Sequence, residues 1–399
     1  MNKILALPVN GDAFLMIRDI GAEQSDKYTD NQTVRILVDG GGSNKVVKEL
    51  NSLGVEQLDI IVCTHSDSDH IKGILKLFED TKYTNKPTKE LWVPGEWFSI
   101  TEELKLNKSD FYKELIKEIL KNHDNLDGVI IENVDFVEHL ITITLEYLEH
   151  LEHLEHLGHL EHLEHLGHLE HLEHLGLLEH LEHLEHLEHL YRFEYFIKRL
   201  NLYDFREKVL QYSKNFNLIM NIVNLAHANQ VICRWFQFDP SKRFGGEKFL
   251  KPINSVEVCR THSIQEMMLT IENENALVFH SPFQDKYDVL FSSDSNFNFN
   301  FNTYGLKPDK LLFTAPHHGS KNNDNAFDEI MSISNNKTVC IKSRTSSVAI
   351  GKKFLNLPFK RYCNSCNRPK NSARQVVNFN LSTWKLTTCK VKCKCVLGR

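Results

Sequence analysis

The chain has 399 residues, 41% hydrophobic and 25% charged, with a formal net charge of −6. That length suffices for one large layered domain with an appendage, or for two domains. The charge excludes a generally basic nucleic-acid coat, though not a local basic groove. No apolar run approaches the roughly 20 residues of a membrane span.

Residues 3–17 read as two short strands around the turn Asn10-Gly11-Asp12. The same turn breaks the apolar start before a signal-peptide core can form, so a cytoplasmic protein is expected. Residues 34–38 form a third strand that ends in Asp39-Gly40-Gly41-Gly42, and 44–53 has helical spacing. Ile60 to Cys63 is a short, wholly apolar run, as expected for a buried strand. It opens onto Thr64-His65-Ser66-Asp67-Ser68-Asp69-His70, followed by a helical pattern from Ile71 to Phe78. Alternating strand and helix predict a layered α/β architecture.

Residues 109–122 have the pattern of an amphipathic helix. From 148 to 190 the chain is almost pure Glu-His-Leu, with Gly158, Gly167 and Gly176 marking a nine-residue super-repeat and most of the 22 histidines lying within it. A three-residue period drifts about 60° round an α-helix at each repeat, so no lasting apolar face forms. Such regularity reads as a repeat-expanded insertion without catalytic importance, although its histidines could bind transition metals. A helical pattern resumes over 191–210.

In the second half, 218–225 suits either a helix or a strand. Val231 to Phe238 reads as a strand and 243–246 as a loop. Segments 266–271 and 276–280 read as paired strands, and Val289 to Phe291 as another, ending in Ser292-Ser293-Asp294. Ser295 to Asn302 is Asn-rich and reads as a solvent loop. Leu311 to Thr314 runs into Pro316-His317-His318-Gly319-Ser320.

His65, Asp67, Asp69 and His70 place four ligand-type side chains within six residues, directly after a buried strand. Imidazole nitrogen with carboxylate oxygen suits Zn²⁺, Mn²⁺ or Fe. A polar loop with Asp69 capping the next helix would account for one of the four. Asp294 and His317-His318 follow two further apolar strands. Three strands ending in ligand-type residues predict an open metal site fed from several strand ends.

The order Ile36-Leu37-Val38-Asp39-Gly40-Gly41, Thr64 to His70, Asn275-Ala276-Leu277-Val278, Leu290 to Asp294 and Ala315 to Ser320 resembles the metallo-β-lactamase superfamily. Within it, the sequence is most similar to the hydrolase domain of the competence protein ComEC and its free-standing soluble relatives. That branch has Asp where the usual motif has its second His, and it has His-His-Gly-Ser. The resemblance covers residues 1 to about 350, interrupted by the repeat. It implies an αββα sandwich, two mixed β-sheets flanked by helices, here with a repeat insertion and a small Cys-rich tail. The expected parts are 1–147 and 191–355 as the two halves of the fold, 148–190 as the insertion and 356–399 as a zinc ribbon.

Carried over by position, the resemblance gives His65 and Asp67 to one divalent metal, and Asp69 and His70 to a second. Asp294 would bridge them, and His318 or His317 would complete the second site. Asp39 would order the ligand loop from behind. The catalytic group set is then Asp69, His70 and Asp294, with Asp69 orienting the attacking hydroxide that the metal pair supplies near neutral pH. Lys72 and Ser293 stand where the family has glycine. The family's separate His ligand has no clear counterpart, with His262 and His280 as candidates by location. More oxygen and fewer nitrogen ligands make Mn²⁺ a competitor to Zn²⁺.

Cys63, Cys233, Cys259 and Cys340 sit singly in or beside apolar runs. Cys363, Cys366, Cys389, Cys393 and Cys395 crowd the end of the chain, where four thiolates could hold one structural Zn²⁺. A basic tail with reduced cysteines is the plainer alternative. Lys360, Arg361, Arg368, Lys370, Arg374, Lys390, Lys392, Lys394 and Arg399 would suit a phosphate backbone.

The expected function is therefore a metal-dependent phosphodiester hydrolase, with nucleic acid as its expected substrate. The alternatives are a hydrolase of a small ester, thioester or lactone, and a non-catalytic metal-binding regulatory protein. Fold alone does not choose among them.

Overall fold

The computed structural model describes residues 2–20, 33–86, 88–97, 215, 217–258, 276–283, 287–299, 309–343, 349–364 and 375–387. The chain divides into two units, one of Met1–Glu102 with Asn215–Arg399 and one of Glu103–Lys214. All described residues belong to the first. The helices expected at 109–122 and 191–210 and the Glu-His-Leu repeat lie outside them, as do segment 266–271, Cys259 and His262.

Two mixed sheets make up the first unit. The larger contains β1 (Lys3–Ala6), β2 (Phe14–Asp19), β3 (Thr33–Val38), β4 (Ile60–Val62), β5 (Glu90–Pro94), β6 (Ile232–Phe238), β8 (Ser255–Val258), β14 (Val377–Asn380) and β15 (Lys385–Leu386), in the order β15-β14-β1-β2-β3-β4-β5-β6-β8. The smaller contains β7 (Lys251–Pro252), β9 (Phe279–Phe283), β10 (Tyr287–Phe291), β11 (Leu311–Thr314), β12 (Val339–Lys342) and β13 (Lys360–Cys363), in the order β13-β12-β11-β10-β9-β7. Strands β3 to β6 run parallel, as do β10 to β13. Their carboxyl ends therefore fall along one edge of each sheet, where open α/β sheets place their ligands.

Period-two alternation explains the layering. Ile4, Met16, Ile36, Val62 and Trp92 of the larger sheet share one core with Phe279, Val289, Phe291, Leu312 and Ile341 of the smaller. The intervening residues of the smaller sheet, Leu290, Leu311, Phe313 and Cys340, form a second core with Phe327 and Ile330 of the helix Ala326–Ile333. Both faces of the smaller sheet are thus buried, as its nearly continuous apolar strands require. Helices α1 (Lys45–Ser52), α2 (Ser68–Glu79) and α3 (Thr81–Asn85) follow β3 and β4.

One sequence-based ambiguity is settled by these elements, and three expectations differ from them. The ambiguous stretch near 218–225 is helical, over 217–228. The strand expected at 276–280 is Phe279–Phe283, and its partners among the described residues are β10 and β7; segment 266–271, its expected partner, lies outside them. In the described part of the Asn-rich segment, 295–299, Asn298 is exposed, but Phe297 and Phe299 are buried in the second core, so this part is not a solvent loop. The tail, expected as a separate ribbon from 356, instead supplies β13 to one sheet and β14 and β15 to the other. Cys363 is buried in the second core, a place for an apolar-like thiol. Cys366, Cys389, Cys393 and Cys395 lie outside the described residues. No described helix is long and apolar enough to cross a membrane.

Candidate metal centre

Each candidate ligand stands just past the carboxyl end of a parallel strand. After β3 the chain turns through Asp39, at φ 58°, into Gly40 and Gly41. After β4 come Thr64 and His65, and then α2 begins at Ser68, three residues before the sequence pattern placed it. Asp69 and His70 therefore sit in its first turn, while His65 and Asp67 precede it. Asp67 occupies the cap position, yet its side chain makes no capping hydrogen bond. The capping alternative for this acidic run is thereby removed: Asp69 is inside the helix and Asp67 does not cap it.

Helix α2 is pressed against the glycine loop. Gly73 N donates to Gly41 O at 2.7 Å, and Gly40 N donates to His70 O at 2.7 Å. A Cβ on Gly73 would stand 1.8 Å from Gly40 O. The glycine that matters for docking is thus Gly73, and Lys72 one residue earlier is exposed.

Beyond β10, Ser293 adopts φ 49° and Asp294 turns inward, 2% exposed. Asn323 Nδ2 donates to the carbonyls of Asp294 and Ser295 and fixes this turn. Beyond β11, His317 (φ 43°) and His318 (φ 54°) are both left-handed, and His317 N donates to Ser293 O at 3.0 Å. Such conformations strain non-glycine residues by about 1–3 kcal/mol each and gather at functional sites.

Two kinds of distance occur around these side chains. On the Nδ1 side, His70 meets Asp39 Oδ2 at 2.8 Å and His318 meets Asp12 Oδ1 at 2.9 Å, which are hydrogen bonds. On the Nε2 side the separations are longer. His70 Nε2 is 3.4 Å from Asp294 Oδ1, and His65 Nε2 is 3.9 Å from Asp294 Oδ2 and 3.7 Å from Asp67 Oδ2. His317 Nε2 is 3.5 Å from Asp294 Oδ2, and His318 Nε2 is 3.5 Å from Asp69 Oδ2. Two atoms held about 2.1 Å from one ion at a tetrahedral angle lie roughly 3.4 Å apart. The Nε2 separations are close to those of co-ligands, and the Nδ1 ones are those of supporting carboxylates.

The buried atoms left over agree with this division. Among the described residues, His65 Nε2, His70 Nε2, His318 Nε2 and Asp294 Oδ1 are all buried without a hydrogen-bond partner. Several such atoms converging in one pocket are costly unless a cation satisfies them. Potential ligand atoms of Asp12, His70, Asp294 and His318 lie within 4.8 Å of one another, and so do those of His65, Asp67 and Asp294. Asp294 belongs to both sets, through different oxygens. Asp12 Oδ1 already accepts from His318, so its place is behind that imidazole.

Electrostatics tie the set together. Burial lowers the proton affinity of His70, but Asp294 and Asp39 outweigh it and raise the imidazole well above its ordinary range. Burial likewise opposes the charged form of His318, yet Asp12 and Asp294 bring it up to about 9. The Asp294 carboxyl, pushed up by burial, is held far below its usual range by His70, His318 and His65. His317 is lowered, chiefly by burial. A divalent cation would compete with these protons for the same Nε2 atoms.

The seven sequence-derived candidate residues thus lie in one cluster, and Asp39 stands behind His70. His317 and His318, between which the sequence could not choose, both face the site: His318 lies beside Asp69, and His317 lies beside the Asp294 oxygen that faces His65. The buried side is formed by His65, His70, Asp294 and His318. Asp67, Asp69 and His317 keep side-chain exposures of 23%, 28% and 20% and mark the open side. His280 is not part of the centre; it lies 3.2 Å from Asp288 on β9 and β10. Sequence reasoning missed Asp12, whose only local signal was an acidic residue in a Gly turn between two strands.

No curated protein matches the chain. The family model described as Metallo-beta-lactamase superfamily matches residues 30–174, a stretch that includes β3, β4 and α2 with Asp39, His65, Asp67, Asp69 and His70. Residues 30–174 therefore carry a metallo-beta-lactamase superfamily domain, and the two mixed sheets with their helices fit that family's sandwich.

Proposed function

We propose that this protein is a hydrolase dependent on two divalent metal ions, and that it cleaves phosphodiesters of nucleic acid. The observation that carries the reading is Asp294, which presents Oδ1 toward His70 and Oδ2 toward His65 and His317. In this reading His65, Asp67 and His317 would hold one ion and Asp69, His70 and His318 the other, with Asp294 available to each through a different oxygen. When bound, such ions supply Lewis acidity toward a phosphoryl oxygen and a reactive nucleophile from water near neutral pH.

The chain's own residues then bind, orient and exclude. Asp39 and Asp12 hold His70 and His318 with Nδ1–H directed at a carboxylate, which leaves each Nε2 lone pair facing the pocket. Asp69, on the open side, orients the attacking water. Lys321 is exposed directly after the His-His turn and offers a cation for a phosphate oxygen. The ComEC-like motifs and the basic residues of the tail support nucleic acid as the substrate, and the mixed His and Asp donors accommodate either Zn²⁺ or Mn²⁺. One structural Zn²⁺ on Cys366, Cys389, Cys393 and Cys395 and a cytoplasmic location complete the proposal.

The test is hydrolysis of single-stranded and double-stranded DNA with added Mn²⁺ or Zn²⁺, comparing wild type with Asp69→Ala. Metal-dependent cleavage that falls at least roughly 100-fold in the variant is the expected result. Turnover of small esters or lactones with intact DNA would replace this reading with the second one. No turnover of either class would favour a binding protein.

A further inference from the structure

We infer that Ser293 is a positioning residue for His65, retained through its hydroxyl in a backbone conformation that favours glycine. The inference rests on the metal centre proposed above and concerns one residue that departs from the family pattern.

Each of the buried imidazoles needs its Nδ1 fixed so that Nε2 faces the pocket. His70 and His318 each have a carboxylate for this purpose, Asp39 and Asp12. His65 has none. Its Nδ1 lies instead 3.1 Å from Thr64 Oγ1 and 3.3 Å from Ser293 Oγ, and those two hydroxyls are 2.6 Å apart. Thr64 Oγ1 in turn reaches both Asp39 oxygens, at 3.0 and 2.9 Å. A chain of contacts runs from Asp39 through the hydroxyls of Thr64 and Ser293 to His65. The Asp39 carboxylate that orients His70 directly thus reaches His65 through hydroxyls, which links the two halves of the centre.

Ser293 holds φ 49°, where a side chain is strained and glycine is not. Glycine there would keep the backbone carbonyl that accepts from His317 N and would lose only the Oγ contacts. If Ser293 were a structural filler, its replacement by glycine would leave metal binding alone. If its hydroxyl aims His65, stability and metal affinity must move independently.

The experiment uses full-length protein, as wild type, Ser293→Gly and Ser293→Ala, titrated with Co²⁺ against a competing chelator. Thermal unfolding of the metal-free forms is measured alongside. The His-rich repeat and the tail are common to all three proteins, so differences report on the site. Ser293→Gly is expected to weaken one bound equivalent about tenfold, leave another unchanged, and match or exceed the wild-type Tm. Ser293→Ala is expected to show the same weakening with a Tm below that of the glycine variant. It also keeps the inference open to test should the glycine variant fold poorly. Affinities within twofold of wild type in both variants would overturn the inference while leaving the metal centre intact. A uniform loss of affinity in step with Tm would overturn it as well. A wild type that binds no Co²⁺ beyond an Asp294→Ala control would instead overturn the metal centre, and this inference with it.

Discussion

Asp12 and His318 stand 306 positions apart in the chain and share a 2.9 Å hydrogen bond inside the protein. The turn between β1 and β2 is thereby joined to the turn after β11, and an imidazole on one sheet is oriented by a carboxylate on the other. Both side chains are almost fully buried, at 1% and 0% exposure. The bond fixes Nδ1 as the donor and leaves Nε2 for the pocket.

Asp12→Asn keeps the size of the side chain and removes its charge. We expect it to weaken one bound metal equivalent about 10- to 100-fold with the fold retained. A chelator-competition titration with a circular dichroism control measures this. An unchanged affinity would mean that Asp12 serves the fold alone.

Removal of the metals should itself destabilise the protein. Each ion held at about 100 times its Kd adds roughly 2.7 kcal/mol to the folded state. Chelation is therefore expected to lower Tm by at least roughly 5 °C, and added Zn²⁺ or Mn²⁺ to restore it. Scanning calorimetry with and without chelator checks this. Equal Tm values would contradict the reading of His65 Nε2, His70 Nε2 and His318 Nε2 as atoms that require a cation.

Much of the candidate site was legible because ligand-type residues crowd the ends of short apolar strands, within a few positions of one another. His65, Asp67, Asp69 and His70 needed only local spacing. Asp12 was not legible, since its partner is 306 residues away and an Asn-Gly-Asp turn has an ordinary explanation in hairpin geometry. The start of α2 was placed three residues late because Ser68, Asp69 and His70 have no apolar period to announce a helix. In the Asn-rich segment, composition averaged over exposed Asn298 and buried Phe297 and Phe299, and so hid their alternation. The tail strands escaped notice for a similar reason: β13 and β14 are four residues each, and pairing with β12 and β1 decides their conformation.

The docking of α2 on the glycine loop should be intolerant of a single methyl group. In Gly73→Ala the new Cβ would meet the backbone oxygen of Gly40, which no side-chain rotation can relieve. We expect a loss of about 3 kcal/mol or more, read from the urea midpoint. Gly54→Ala is the contrasting case. Its Cβ meets nothing within 4 Å, and only φ +68° opposes it, so about 1 kcal/mol is expected. Similar losses for the two variants would contradict the close approach at Gly73.

Away from the centre, Arg234 on β6 joins three carboxylates, from β5, the loop before β7, and β8. It lies 3.0 Å from Glu90, 2.6 Å from Glu247 and 2.7 Å from Glu257, and its guanidinium stands 4.7 Å from the Trp92 ring. Burial disfavours the cation, but the hydrogen bonds to Glu257 and Glu90 raise its proton affinity further. Arg234→Met removes the cation shared by these acids while keeping an apolar stem. A loss of about 3 kcal/mol is expected from denaturant unfolding. A loss below about 0.5 kcal/mol would show that the network contributes no more than a surface pair does.

Anomalous scattering from crystals grown with Mn²⁺ or Zn²⁺ tests the metal centre most directly. Two peaks are predicted, one about 2.0–2.2 Å from Asp294 Oδ1 and one at the same distance from Asp294 Oδ2. His70 should ligate the first and His65 the second, their rings remaining side by side. Peaks confined to other histidines or to the cysteine tail, with none beside Asp294, would contradict the account.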